Sequence, residues 1–184
     1  MRNLFLKFIF IFILFFTTKA TSQILLNNDS CFKIYLDRED LINDSPSDYN
    51  KTSFIIVNNT EKNYIINTHG FMGSSFVFEN GKKLSSYIPK PSGYSADWDE
   101  KECSKNILVI PKNKQIKAIL YLDIVRAYYS LDDGKNYEID FETEHTKQSP
   151  YYYGCTKYVD SLVNKGYKIY EGTLKGKIKL VPKK

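Results

Sequence analysis

Residues 116–144 read IKAILYLDIVRAYYSLDDGKNYEIDFETE, and this stretch decides the fold. Residues 137–142 alternate strictly between apolar and acidic side chains, a period of two that is typical of an antiparallel strand with one buried face. The turn residues Asp132-Asp133-Gly134 precede that strand. We therefore predict two strands, 116–124 and 137–144, joined through this turn. The residues expected on the inner face are Tyr137, Ile139 and Phe141, and those on the outer face are Glu138, Asp140 and Glu142.

Short apolar or alternating segments recur on both sides of this pair, separated by turn-forming residues. Such a pattern predicts an all-β sandwich or barrel and disfavours a parallel α/β fold. Hairpins are predicted at 52–67 and 75–88, and long loops at 37–51 and 89–104. One short helix is predicted at 156–165, with Gly166 after its end. The remaining strands are expected at 31–36, 106–111 and 167–181.

The segment Leu131–Ile139, LDDGKNYEI, resembles the tyrosine corner of immunoglobulin-like and fibronectin-type domains. The resemblance implies an antiparallel immunoglobulin-like β-sandwich. Gly134 would then form the turn, and the hydroxyl of Tyr137 would bond back to the corner backbone. Residues 172–178, GTLKGKI, resemble the closing strand of such a domain. The Cys-Trp-Cys core of antibody domains has no counterpart at the corresponding positions.

The first 22 residues have the layout of a secretory signal peptide. Arg2 and Lys7 supply a basic start, Phe8–Phe16 is an unbroken apolar run, and the polar segment TTKATSQ follows. The apolar run is too short to favour a retained anchor. We predict cleavage after Ser22, an exported protein (periplasmic or extracellular), and a single domain over residues 23–184.

The charge of the predicted mature chain argues against nucleic acid as a partner. Arg2, Lys7 and Lys19 leave with the signal peptide and no acidic residue does, so the formal net charge falls from +5 to +2. The remaining lysines concentrate in the final strand, where they are expected to protect a solvated edge. A patch that binds polyanions is the alternative.

The three cysteines allow one disulfide bond and one remaining thiol. Cys103 and Cys155 both lie in loop-like sequence, which favours pairing them. Cys31 opens an apolar strand and is expected to be a buried, inert thiol. Spacing alone leaves the other pairings open.

No pattern of catalytic or metal-ligating residues is apparent, so we expect no enzyme activity, no metal and no cofactor. His69 and His145 are the only histidines and lie in no zinc motif. We expect His145 to be a solvated strand end. The acidic residues at 97–102 are expected to form a solvated loop, with a calcium site as the alternative. Dispersed carboxylates that act in hydrolysis are a further alternative.

Tyrosine is the unusual residue of this chain, with fifteen copies. Tyr gives contact area at low entropic cost, although it also fills sheet faces well. We predict a binding or interaction domain for a protein or glycan, and the alternatives are a secreted proteinase inhibitor and an accessory subunit of a cell-envelope assembly. In the last case the edge strand 172–181 would pair with its partner. The predicted binding residues are Tyr94, Trp98, Tyr151, Tyr152 and Tyr153.

Overall fold

The structure is a computed structural model that describes residues 23–27, 29, 32–37, 40–43, 53–86, 97–122, 129–132 and 134–182. The predicted signal peptide, Cys31 and Tyr94 lie outside these residues. Within them the chain is mostly β. The strands are β1 (Ile24–Leu25), β2 (Phe32–Leu36), β3 (Asp40–Asn43), β4 (Ser53–Asn58), β5 (Tyr64–Asn67), β6 (Met72–Glu79), β7 (Lys82–Lys83), β8 (Ile107–Ile110), β9 (Lys114–Ile119), β10 (Tyr137–His145), β11 (Lys168–Ile169) and β12 (Gly172–Pro182).

Helical elements separate the later strands: α1 (Glu100–Asn106), a 3-10 helix (Ser149–Gly154) and α2 (Thr156–Asn164). The predicted helix near the C-terminus is α2, which buries Val159 and Leu162. None of the helices in the described part of the chain is long and apolar enough to cross a bilayer.

The described strands form three sheets, with the orders β1-β2-β4-β9, β3-β12-β10-β6-β7 and β11-β5-β8. Most neighbours are antiparallel, and β12 with β3 and β11 with β5 are parallel. The predicted loop 37–51 therefore contains a strand, β3. The final strand is also different from the prediction, because β12 lies between β3 and β10 and is not a sheet edge.

The central strand β10 has the predicted alternation, with Tyr137, Ile139 and Phe141 buried. Its predicted pairing with the preceding strand is wrong. β10 pairs with β12 and β6, whereas β9 pairs with β4 in another sheet. A tight hairpin needs a connection of about two to five residues. The segment 120–136 is much longer, and its described residues Leu120 and Tyr129 are buried.

The predicted hairpin at 75–88 is confirmed for its turn and its first pairs, because β6 and β7 join through Asn80 and Gly81 with φ angles of 51° and 77°. The return strand covers only Lys82–Lys83, and residues 87–88 lie outside the described residues. Two positive φ angles match the twist of a two-residue hairpin. The predicted hairpin at 52–67 is wrong, since β4 and β5 lie in different sheets. The Asn58 amide donates to the carbonyls of Lys62 and Ile110, at 2.7 and 3.2 Å, and so directs the chain toward β8.

Two groups of buried side chains hold these elements together. The larger core draws on all three sheets, with Phe32, Ile56, Ile66, Phe141 and Ile178 among its members. The smaller core lies where α1 and α2 meet the third sheet, and we call it the helix core. Its buried members are Ile65, Cys103, Ile107, Cys155, Val159 and Leu162.

The helix α1 begins within the predicted loop 89–104 and ends two residues beyond it, at Asn106. Asp99 accepts a hydrogen bond from the Glu102 backbone at 2.7 Å, and Glu102 accepts one from the Asp99 backbone at 3.3 Å. This reciprocal capping box satisfies two backbone donors at the helix start. The carboxylates at 99 and 102, which were expected in a solvated loop, are therefore used to begin a helix.

Candidate functional site

Four aromatic side chains from distant parts of the chain meet beside the helix core. We call them the aromatic platform: His69, Trp98, Tyr121 and Tyr153. His69 stacks on Tyr121 with ring centroids 3.9 Å apart, and Trp98 stacks on Tyr153 at 4.3 Å. The two pairs meet edge to face, since the His69 ring is 5.1 Å from Trp98 at an angle of 74°. Edge-to-face and stacked contacts are the favoured arrangements of such rings.

Backbone hydrogen bonds fix these rings in place. The Trp98 N–H donates to the Tyr153 carbonyl at 2.8 Å, which holds the segment before α1 against the 3-10 helix. The Tyr121 N–H donates to the Thr68 carbonyl at 2.8 Å, which holds the end of β9 against the turn that carries His69. Each stacked pair is thus preorganised by its own backbone contact.

Tyr153 has an unusual backbone conformation, with φ 65° and ψ 24°. Left-handed φ angles are uncommon for residues other than glycine, and such strain tends to occur at functional sites. Its neighbour Tyr152 is extended (φ −60°, ψ 153°), and this break in the helical geometry leaves the Tyr152 side chain 40% exposed. The residue before Tyr153 in the chain is therefore an exposed tyrosine.

The disulfide bond between Cys103 and Cys155 is confirmed, with the two Cα atoms 5.6 Å apart. Cys103 lies in α1 rather than in a loop, and it is buried. One end of the bond is in α1, which begins two residues after Trp98. The other end, Cys155, lies between Tyr153 and the start of α2. It therefore ties together the two segments that carry the Trp98–Tyr153 pair.

The structure separates the predicted binding residues. Trp98 and Tyr153 belong to the platform, and Tyr152 is the exposed residue beside it. Tyr151 instead packs against the helix core and donates a hydrogen bond to Asp160 at 3.2 Å. Nothing in the sequence pattern indicated His69 or Tyr121, because the fold brings them to Trp98 and Tyr153 from separate strand ends.

His145 is buried with 0% exposure, so the expectation of a solvated strand end is wrong. Its Nε2 accepts a hydrogen bond from the Asn67 N–H at 3.0 Å, and its Nδ1 lies 2.7 Å from the Tyr170 carbonyl. Because Asn67 donates to Nε2, the proton of the neutral ring is on Nδ1 and points to that carbonyl. Burial lowers the pKa of His145 to about 4.

The ring of His69 is half-buried, and burial lowers its pKa below the usual value of 6.5. Its Nδ1 lies 3.0 Å from the Thr68 hydroxyl. A neutral His69 extends the apolar ring surface of the platform. Among the described residues, no group of three or more His, Cys, Asp or Glu side chains could hold a metal ion.

The hydroxyl of Tyr137 is bonded to the backbone of the preceding turn. The Asp132 N–H donates to the Tyr137 hydroxyl at 2.9 Å. Gly134 has an ordinary φ and open space around its Cα, so the turn does not require glycine there.

Searches with this chain found no matching protein-family model, no matching curated protein and no matching solved structure. The function of the aromatic platform therefore has to be inferred from its own geometry.

Proposed function

We propose that this protein is an exported, non-enzymatic binding domain whose contact surface is the aromatic platform together with Tyr152. The observation that carries the proposal is the Trp98–Tyr153 stack, held by a backbone hydrogen bond beside a disulfide bond and a strained residue. Rigid Trp and Tyr side chains dominate the binding energy of protein interfaces, because they bury much area for little entropy.

The partner that fits this surface best is a protein with an apolar contact flanked by basic residues. The segment that carries Trp98 also carries the exposed acids Asp97, Asp99 and Glu100. An aromatic centre with a charged rim is the usual anatomy of an interface. An acidic rim speeds association with a basic partner and weakens as salt screens it.

Photo-cross-linking from Tyr152 tests this proposal. Tyr152 is replaced by photoreactive benzoylphenylalanine in the full-length chain, which is expressed in its native cells and irradiated. We expect one discrete protein adduct, which is lost when Trp98→Ala is added and reduced when Asp97→Asn and Glu100→Gln are added. The matched control is the same replacement at Phe76, which is 41% exposed on β6.

An absent adduct, or equal adducts from the two positions, would contradict the proposal. An adduct that consists of carbohydrate would contradict the choice of a protein partner. Retention of the adduct in the Trp98→Ala variant would exclude the platform as the contact surface.

The fold type and the location of the protein are also proposals. We propose that the sheets form an immunoglobulin-like sandwich over residues 23–184, supported by the hydrogen bond from Asp132 to Tyr137. Export is supported by the disulfide bond, because such bonds persist in oxidising compartments. Intact mass and N-terminal sequencing of the exported protein test export and signal cleavage, with Gln23 as the expected first residue. An exported chain that still begins at Met1 would exclude cleavage.

A further inference from the structure

Asn67, at the end of β5, connects the buried His145 to the aromatic platform. Its N–H donates to His145 Nε2 at 3.0 Å, and its side-chain oxygen accepts from the His69 N–H at 2.9 Å. Its side-chain amide donates to the Ser149 carbonyl at 3.0 Å. Ser149 begins the 3-10 helix that carries Tyr152 and Tyr153. One buried asparagine therefore holds both halves of the platform and depends on a histidine.

A second proton on His145 is incompatible with this arrangement. Nδ1 already donates to the Tyr170 carbonyl, so the new proton would be on Nε2 and would face the Asn67 N–H. Two donors would then oppose each other in a buried site, where an unsatisfied polar group is costly. The neutral histidine is required for Asn67 to keep its position.

Among the residues that the structure describes, none offers His145 a charge that would hold the protonated ring. The rings packed against it are Phe71 and Tyr170, and the residue opposite it on β12 is Gly172. Tyr170 is the titratable group among these, and its pKa is raised to about 12, chiefly by burial, so it stays neutral. On β10 itself, Glu142 and Glu144 point to the opposite, exposed face.

We propose that His145 makes the aromatic platform acid-sensitive: protonation of its ring breaks the Asn67 contact and releases the His69 turn and the 3-10 helix from each other. This regulation rests on the proposed binding function of the platform. The partner would be held near neutral pH and released in acid, the behaviour of a histidine-based pH switch.

The size of the effect follows from the two states of the ring. A released His145 has an ordinary pKa near 6.5, whereas the buried ring has a pKa of about 4. Protons therefore bind the released state more tightly, and the closed state loses stability as the pH falls below 6.5. The closed-to-released ratio is expected to fall about 30-fold between pH 7.5 and pH 5.

The only tryptophan of the chain, Trp98, lies in the platform and reports on it without any ligand. His69 contacts Trp98 and is itself titratable, so both proteins compared carry His69→Gln. We expect Trp98 emission in the His69→Gln protein to change between pH 6.5 and pH 4.5. The change should be absent after His145→Gln, which keeps an acceptor near Asn67 but does not titrate. The proposal would be overturned if the pH-dependent change in Trp98 emission persisted after His145→Gln, or if neither protein showed such a change.

NMR of the wild-type protein covers the case in which His145→Gln does not fold. The amide proton of Asn67 is expected to shift with the same midpoint as the His145 ring, while amides at the centre of β10 remain in place. An Asn67 amide that stays fixed while His145 titrates would overturn the proposal. Neither measurement uses a partner, so an acid response without cross-linking from Tyr152 would refute only the binding function.

Discussion

At the scale of single residues, the hydroxyl of Tyr137 has a defined energetic role. It accepts the Asp132 N–H from a buried ring, and this contact closes the corner before β10. We expect Tyr137→Phe to lower the free energy of unfolding by about 1 kcal/mol, the typical net value of one hydrogen bond. Urea denaturation measures it, with Tyr152→Phe as the exposed control. Equal stabilities of the two variants would show that the corner bond contributes nothing.

Gly73 on β6 is required for close contact between strands. A Cβ atom at this position would meet the backbone of β10, with the Glu142 carbonyl oxygen nearest and the Thr143 Cα 2.7 Å away. Backbone atoms of a central strand cannot move aside as a flexible side chain can. We expect Gly73→Ala to separate β6 from β10 and to lower the free energy of unfolding by more than 3 kcal/mol, near the upper range for point mutants.

Gly134→Ala is the matched control, because Gly134 has open space and an ordinary φ. We expect it to leave stability unchanged or to raise it slightly, since alanine restricts the unfolded chain more than glycine does. Thermal unfolding of the two variants distinguishes them. A stable Gly73→Ala protein would mean that β6 does not approach β10 so closely.

At the scale of elements, the disulfide bond is expected to stabilise the fold more than any single contact in the platform. It joins residues 52 positions apart, and the loop-entropy model assigns about 4 kcal/mol to a loop of that size. We expect the double variant Cys103→Ala, Cys155→Ala to lose most of this free energy and to expose Trp98, seen as a red shift of its emission. Asp99→Ala, which removes only the helix cap, should cost about 1 kcal/mol.

Elements that carry a complete local signal were predicted correctly from the sequence. Each of these signals is contained in a short stretch of sequence: the alternation of β10, the turn Asn80-Gly81 and the apolar spacing of α2. The pairing of strands was not predictable in this way, because adjacency in the chain favoured β9 with β10 and β4 with β5. Long connections and the side chain of Asn58 direct these strands to other partners. The α1 helix had a local signal, the Asp99 and Glu102 capping box, that its acidic composition obscured.

At the scale of the whole molecule, the candidate site was half predictable. Trp98 and Tyr153 were identified because aromatic residues in polar segments are conspicuous in any sequence. The predicted bond between Cys103 and Cys155, which the structure confirms, links the two segments. His69 and Tyr121 lie at the ends of strands in two different sheets. The arrangement of the three sheets brings their ring centroids to within 3.9 Å of each other. A site assembled by topology leaves no short motif.

The lysines of the final strand were the alternative polyanion site, and their neighbours on the exposed face of the second sheet argue against it. Lysines on β12 stand directly opposite carboxylates on β10, in the pairs Lys175 with Glu142, Lys177 with Asp140 and Lys179 with Glu138. Opposite charges on neighbouring strands attract each other and reduce the field that a polyanion would meet. We expect the wild-type protein to pass through a heparin column at physiological salt, and the variant with Glu138→Gln, Asp140→Asn and Glu142→Gln to be retained. Retention of the wild-type protein would show instead that the lysines form a polyanion site despite their acidic neighbours.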